Sequence, residues 1–178
     1  MPMDDLRDRI SDDRSGVEQK LARLIPGYQG YKELKTRREA DRLLRELLVA
    51  RLDGLRVKLR EMVISLTNNG LLELLKAVDA VEDRLETVTD AFRYSDYGYS
   101  GKTDPVKVTG EVLDQLYSYD EGLLEKVERL VESGEGLGTA GADAQSVKSV
   151  LLAFDAELKG FAAVARDRSK VLSGIELE

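Results

Sequence analysis

Histidine, cysteine and tryptophan are absent from this 178-residue chain, and proline occurs only three times. Without histidine or cysteine there is no Ser-His-Asp triad, no Cys-His pair, no conventional zinc site and no Glu-x-x-His pair of the di-iron carboxylate bundles. A disulfide framework is likewise excluded. No Asp-rich loop has the ligand spacing of a calcium or magnesium site, Asp96 and Asp104 being too few, so neither metal nor cofactor is expected. Few prolines, no tryptophan and an abundance of leucine favour helix over sheet. No apolar run approaches the roughly 18 residues that span a bilayer. The start, Met1-Pro2-Met3-Asp4-Asp5, lacks the basic-then-apolar pattern of a secretory signal, and the expected location is cytoplasmic.

What is present is a 42% hydrophobic, 34% charged composition suited to one domain with a sizeable core. The net charge of −7 argues against nucleic-acid binding, which depends on Lys and Arg neutralising phosphates. The charge is uneven: residues 32–60 hold ten basic and five acidic side chains, whereas residues 111–135 hold two and eight.

Four apolar stripes step by three, four or seven residues, as one face of a helix requires. They are Leu44, Leu48, Leu52, Leu55, Leu59, Met62, Leu66; then Leu71, Leu75, Val78, Leu85, Val88, Phe92; then Leu113, Leu116, Leu123, Val127, Val131; and last Val147, Leu151, Phe154, Leu158, Phe161, Ala165, Leu172. Asn68-Asn69-Gly70 supplies left-handed-tolerant residues for a tight reversal. Residues 94–108 read as a longer connection, with Asp104 before Pro105 capping a short turn. Gly134, Gly136, Gly138 and Gly141 read as a second break over 134–142. The expected fold is all-α: an up-and-down four-helix bundle with helices at about 31–68, 71–93, 109–133 and 143–173. Upstream, Leu6, Ile10, Val17, Leu21 and Leu24 predict an additional N-terminal amphipathic helix within 1–25. Ser15-Gly-Val-Glu18 there reads as a capping box. An extended coiled-coil dimer is the alternative, disfavoured by the glycine cluster. Gly136-Leu-Gly138-Thr-Ala-Gly141 matches G-x-G-x-x-G in form but lacks the preceding strand that phosphate binding needs, so it reads as a connection.

In such a bundle the 25–31 and 94–108 connections fall at one end, and all seven tyrosines gather there. Tyr28 and Tyr31 precede the first long helix, Tyr94, Tyr97 and Tyr99 lie in the long connection, and Tyr117 and Tyr119 follow it. Tyrosine joins a large ring to a hydroxyl and loses little entropy on binding, which suits recognition; it equally suits capping a bundle end. Rotation by about 100° per residue puts Arg37 and Asp41 on the core side near this pole, with Asp120 level with Asp41 and Arg168 at the stripe edge. A buried charge needs a partner, so Arg37 and Arg168 are expected to pair with Asp41 or Asp120. That layer either fixes helix register or, with Arg38 and the tyrosines, lines a pocket for an anionic ligand.

Lys35, Arg38, Arg42, Arg45, Arg56 and Arg60 form a basic outer face on the first long helix. It is expected to be compensated by Glu39, Glu46 and Asp53, the alternative being attraction to an anionic membrane surface. That second reading resembles, in general style, the phage-shock type of helical protein. The leading expectation is a non-enzymatic interaction or scaffold module working through its tyrosine-rich pole toward a protein partner, with homodimerisation through the N-terminal segment also expected. A ligand-binding protein or enzyme using Arg, Tyr and Asp at the pole is the third reading.

Overall fold

The computed structural model describes residues 16–30, 34–94, 110–139 and 143–177. A short helix α1 covers 16–24. Four long helices follow: α2 (Leu34–Asn68), α3 (Leu75–Arg93, entered through a 3-10 turn at Leu72–Leu74), α4 (Gly110–Thr139) and α5 (Ala144–Leu177). No strand occurs among the described residues, and the protein is an all-α helical bundle.

The boundaries have local causes. At the end of α2 Gly70 adopts φ 72°, Leu71 N donates to Leu66 O at 2.9 Å and Gly70 N to Thr67 O at 3.2 Å. These are the two bonds of a Schellman motif, which satisfy carbonyls that the helix leaves open. At the start of α5 the Asp143 carboxylate accepts from the Ser146 amide at 2.8 Å and the Ser146 hydroxyl at 2.7 Å, a side-chain N-cap. Those hydrogen bonds, the hydroxyl's first, hold the Asp143 carboxyl below its ordinary pKa. Ser15, read as the cap of α1, lies outside the described residues, as does the expected Asp104 cap.

The predicted stripes form the core. Every member of the α2 stripe is buried, as are Val78, Leu85, Val88 and Phe92 of α3, Leu113, Leu116, Leu123 and Val127 of α4, and Val147, Leu151, Phe154, Leu158 and Phe161 of α5. Phe92 and Phe161 meet with ring centroids 5.7 Å apart.

Cross-helix contacts set direction and order. Arg93 meets Asp53, Arg56 meets Glu86 and Arg60 meets Glu82, so α2 and α3 run antiparallel. Helices α4 and α5 are also antiparallel, through Arg168 with Asp120 and the approach of Gly136 to Val150. By contrast, Arg51 with Glu128 and Gly134 against Leu55 align α2 and α4 in parallel, and Arg84 with Asp155 and Phe92 with Phe161 do the same for α3 and α5. The extensive contacts thus close a ring in the order α2, α3, α5, α4. Consecutive helices α3 and α4 lie across its diagonal, an order that sequence spacing does not reveal. Helix α1 packs at the end of the bundle where α2 and α4 begin: Lys20 reaches Glu121 and Glu125, Leu21 and Ile25 are buried, and Gly27 faces Leu43.

Helix α5 runs to Leu177, four residues past the expected end, and a larger departure lies at the end of α4. Helix α4 does not stop at residue 133 but continues through Gly134, Gly136 and Gly138 to Thr139. The reason is steric. A Cβ at Gly134 would lie 2.4 Å from Leu55 Cδ2, so the close approach of α2 and α4 requires glycine inside the helix.

Candidate functional site

At the pole where α2 and α4 begin and α3 and α5 end, four charged side chains form one connected network. Asp41 on α2, Asp120 on α4 and Arg168 on α5 are almost wholly buried, their side chains 2%, 0% and 4% exposed. Arg168 Nε donates to Asp120 Oδ1 at 2.5 Å, while its Nη1 lies 2.9 Å from Asp41 Oδ1, an ion-pair contact off the line of a hydrogen bond. The other Asp41 oxygen accepts from Arg45 Nε at 2.8 Å, and Arg45 Nη1 donates to the Phe92 carbonyl at 3.3 Å, in the last turn of α3. One network therefore touches all four long helices at one level. Among the described residues two carboxylates face two guanidiniums, and each charge has an opposite partner, the condition that makes burial tolerable.

This arrangement answers the sequence expectations residue by residue. Arg168 pairs with both Asp41 and Asp120, as a charge on each core face demanded. Arg37, Arg38 and Lys35 lie in the first turns of α2, and their side chains fall outside the described residues. Arg45 departs from its expected place. It turns inward, its side chain 18% exposed, because it flanks the α2 stripe beside α3, where the Phe92 carbonyl near the negative end of the helix accepts from it.

The tyrosines divide into two kinds. Tyr28 and Tyr117 are buried at 6% and 2% exposure, so they close the bundle end instead of forming contact surface. Gly30, with φ 75°, passes beneath Tyr117: a Cβ there would lie 2.5 Å from both the Tyr117 hydroxyl and Glu18 Oε1. Tyr119 is half-buried, and Tyr94 is 72% exposed. Tyr31, Tyr97 and Tyr99 lie outside the described residues. Immediately before Tyr94, Arg93 Nη2 donates to both oxygens of Asp53 at 2.8 and 2.9 Å, and Nη1 donates to Asp90 at 2.9 Å. Asp53 thereby holds the Arg93 guanidinium above its ordinary pKa. The end of α3 is fastened twice to α2, by Arg45 on the carbonyl of Phe92 and by Asp53 on Arg93.

Among the described residues the basic face is compensated. Arg42 is clasped by Glu39 and Glu46, and its hydrogen bond holds the Glu39 carboxyl below the usual range. Arg56 and Arg60 pair with Glu86 and Glu82, while Asp53 serves Arg93. Sequence reasoning missed Glu82 and Glu86, whose i,i+4 spacing on α3 matches Arg56 and Arg60 once the helices are set antiparallel.

Two further clefts lie between neighbouring helices. One of about 270 Å³ lies between α2 and α4, lined by Ala50, Gly54, Leu55 and Val131 among others. The second, of about 450 Å³, lies between α3 and α5, where Arg84 and Lys159 both hold Asp155. Burial alone would raise the Asp155 carboxyl, but the two hydrogen bonds and adjacent charges outweigh it and hold it below its ordinary pKa. Among the described residues no group of three metal-ligating side chains converges, and no helix is long and apolar enough to cross a membrane. Comparison with known protein families, curated proteins and solved structures finds no match to this chain.

Proposed function

We propose that this chain is a non-enzymatic helical interaction or scaffold module, acting in the cytoplasm, whose contact surface is the tyrosine pole. The observation that carries the reading is the exposure of Tyr94 directly beyond a helix end fastened by Arg45 and by the Arg93–Asp53 pair. A rigid support lowers the ordering cost of binding, and an exposed ring with a hydroxyl contributes area and hydrogen bonding together. The connection that starts at Tyr94 carries Tyr97 and Tyr99, which extend the same chemistry. The pairing of Arg168 with Asp41 and Asp120 supports this reading over an anion pocket, and the pairing of Arg42, Arg56 and Arg60 supports it over a lipid-binding face.

The test is affinity capture from native lysate by the wild-type protein beside a Tyr94→Ala/Tyr97→Ala/Tyr99→Ala variant of unchanged thermal stability. A protein partner retained by the wild type and lost by the variant is expected. Equal capture by both would overturn the assignment of the pole.

A further inference from the structure

The end of α4 has weak intrinsic helix formation, and its glycines serve different purposes. Gly134 is demanded by packing, with Leu55 Cδ2 2.4 Å from the position of its missing Cβ. Gly136 is tight against Val150 Cγ1 at 3.3 Å, whereas Gly138 has, among the described residues, only Glu61 Oε2 near, at 3.9 Å, leaving room for a methyl. Glycine is the poorest helix former after proline, because fixing its backbone removes the most conformational freedom. Three in five residues therefore weaken this stretch cumulatively. Its last turn contains no basic residue, and Glu132 and Glu135 stand near the negative end of the helix dipole. Beyond Leu130, the only wholly buried large side chain on α4 among the described residues is Leu137.

We propose that residues 134–139 form a conformational device that unwinds and re-forms as a unit while the rest of the bundle stays folded. Opening lifts Leu137 from its seat and separates Gly134 from Leu55 and Gly136 from Val150. Apolar side chains of α2 and α5 are then uncovered at the end opposite the tyrosines. A segment whose local preference opposes its native conformation is where a low-energy opening belongs. The proposal is independent of the tyrosine-pole reading.

Amide hydrogen exchange on the full chain, resolved by residue, tests it. Protection of the 135–139 amides is expected to fall on the order of 100-fold below that of 123–131 in the same helix. Their exchange should be insensitive to low urea, because a local opening exposes little surface. Gly138→Ala should slow that exchange about four- to fivefold, the difference in helix propensity between the two residues. Uniform protection along α4 with a common urea dependence would overturn the proposal, as would a Gly138→Ala protein whose 135–139 amides exchange at the wild-type rate.

Discussion

Replacing Arg168 by methionine should cost more than any surface charge change, because the guanidinium serves two buried carboxylates at once. Methionine retains much of the side-chain volume while removing the charge. Asp41 keeps Arg45, but Asp120, with a fully buried side chain, loses the guanidinium 2.5 Å away. Breaking a buried ion pair from one side costs about 3–5 kcal/mol, against a total stability of about 5–15 kcal/mol for a folded domain. At about 2–4 °C per kcal/mol for a chain of this size, Tm should fall by roughly 6–20 °C. Urea denaturation followed by circular dichroism, with calorimetric Tm, gives both numbers. Adding Asp120→Asn to Arg168→Met should recover part of the loss, because it removes a buried charge that has lost this partner, although Asp120→Asn alone destabilises the wild type. An Arg168→Met protein within about 1 kcal/mol of wild type would refute the reasoning, since an isolated surface pair is worth that much.

The two classes of glycine in α4 should respond in opposite directions. Gly138→Ala should stabilise by about 1 kcal/mol, while Gly134→Ala should lower the urea midpoint, since overpacking costs about 1–3 kcal/mol. The tyrosines should separate likewise: Tyr117→Ala should cost about 3–5 kcal/mol, as for other large buried rings, and Tyr94→Ala no more than about 0.5 kcal/mol. For Asp155, the folded-state pKa lies below the unfolded value, so its stabilising contribution is complete above the ordinary value of 3.8 and disappears as pH falls through the folded value. The difference in urea midpoint between wild type and Asp155→Asn should accordingly be constant at neutral pH and vanish in strong acid; persistence there would contradict it.

The helices and core were legible because apolar periodicity is a direct imprint of burial on one face. The polar layer was legible for a related reason: charges at Asp41, Asp120 and Arg168 occupy core-facing positions, and the helical rise places the two aspartates at one level. What sequence could not supply was the identity of a neighbour. Rotation put Arg45 near the outer face, but only the arrival of the Phe92 carbonyl explains why it turns in. Glycine composition signalled a break at 134, whereas the contact with Leu55 makes glycine the residue that lets the helix continue. Tyr117 and Tyr94 have the same chemistry, and only packing makes one a cap and leaves the other exposed. The diagonal placement of α3 and α4 escaped notice because a connection of that length spans either an edge or the diagonal of a bundle.

The most direct test of the tyrosine pole is site-specific photocrosslinking in native lysate from position 94, compared with position 64, where Ile64 is 62% exposed toward the other end of α2. A discrete heteromolecular adduct from position 94 and none from position 64 is the predicted result. Adducts from position 64 alone, or equally from both, would contradict the assignment of function to this pole.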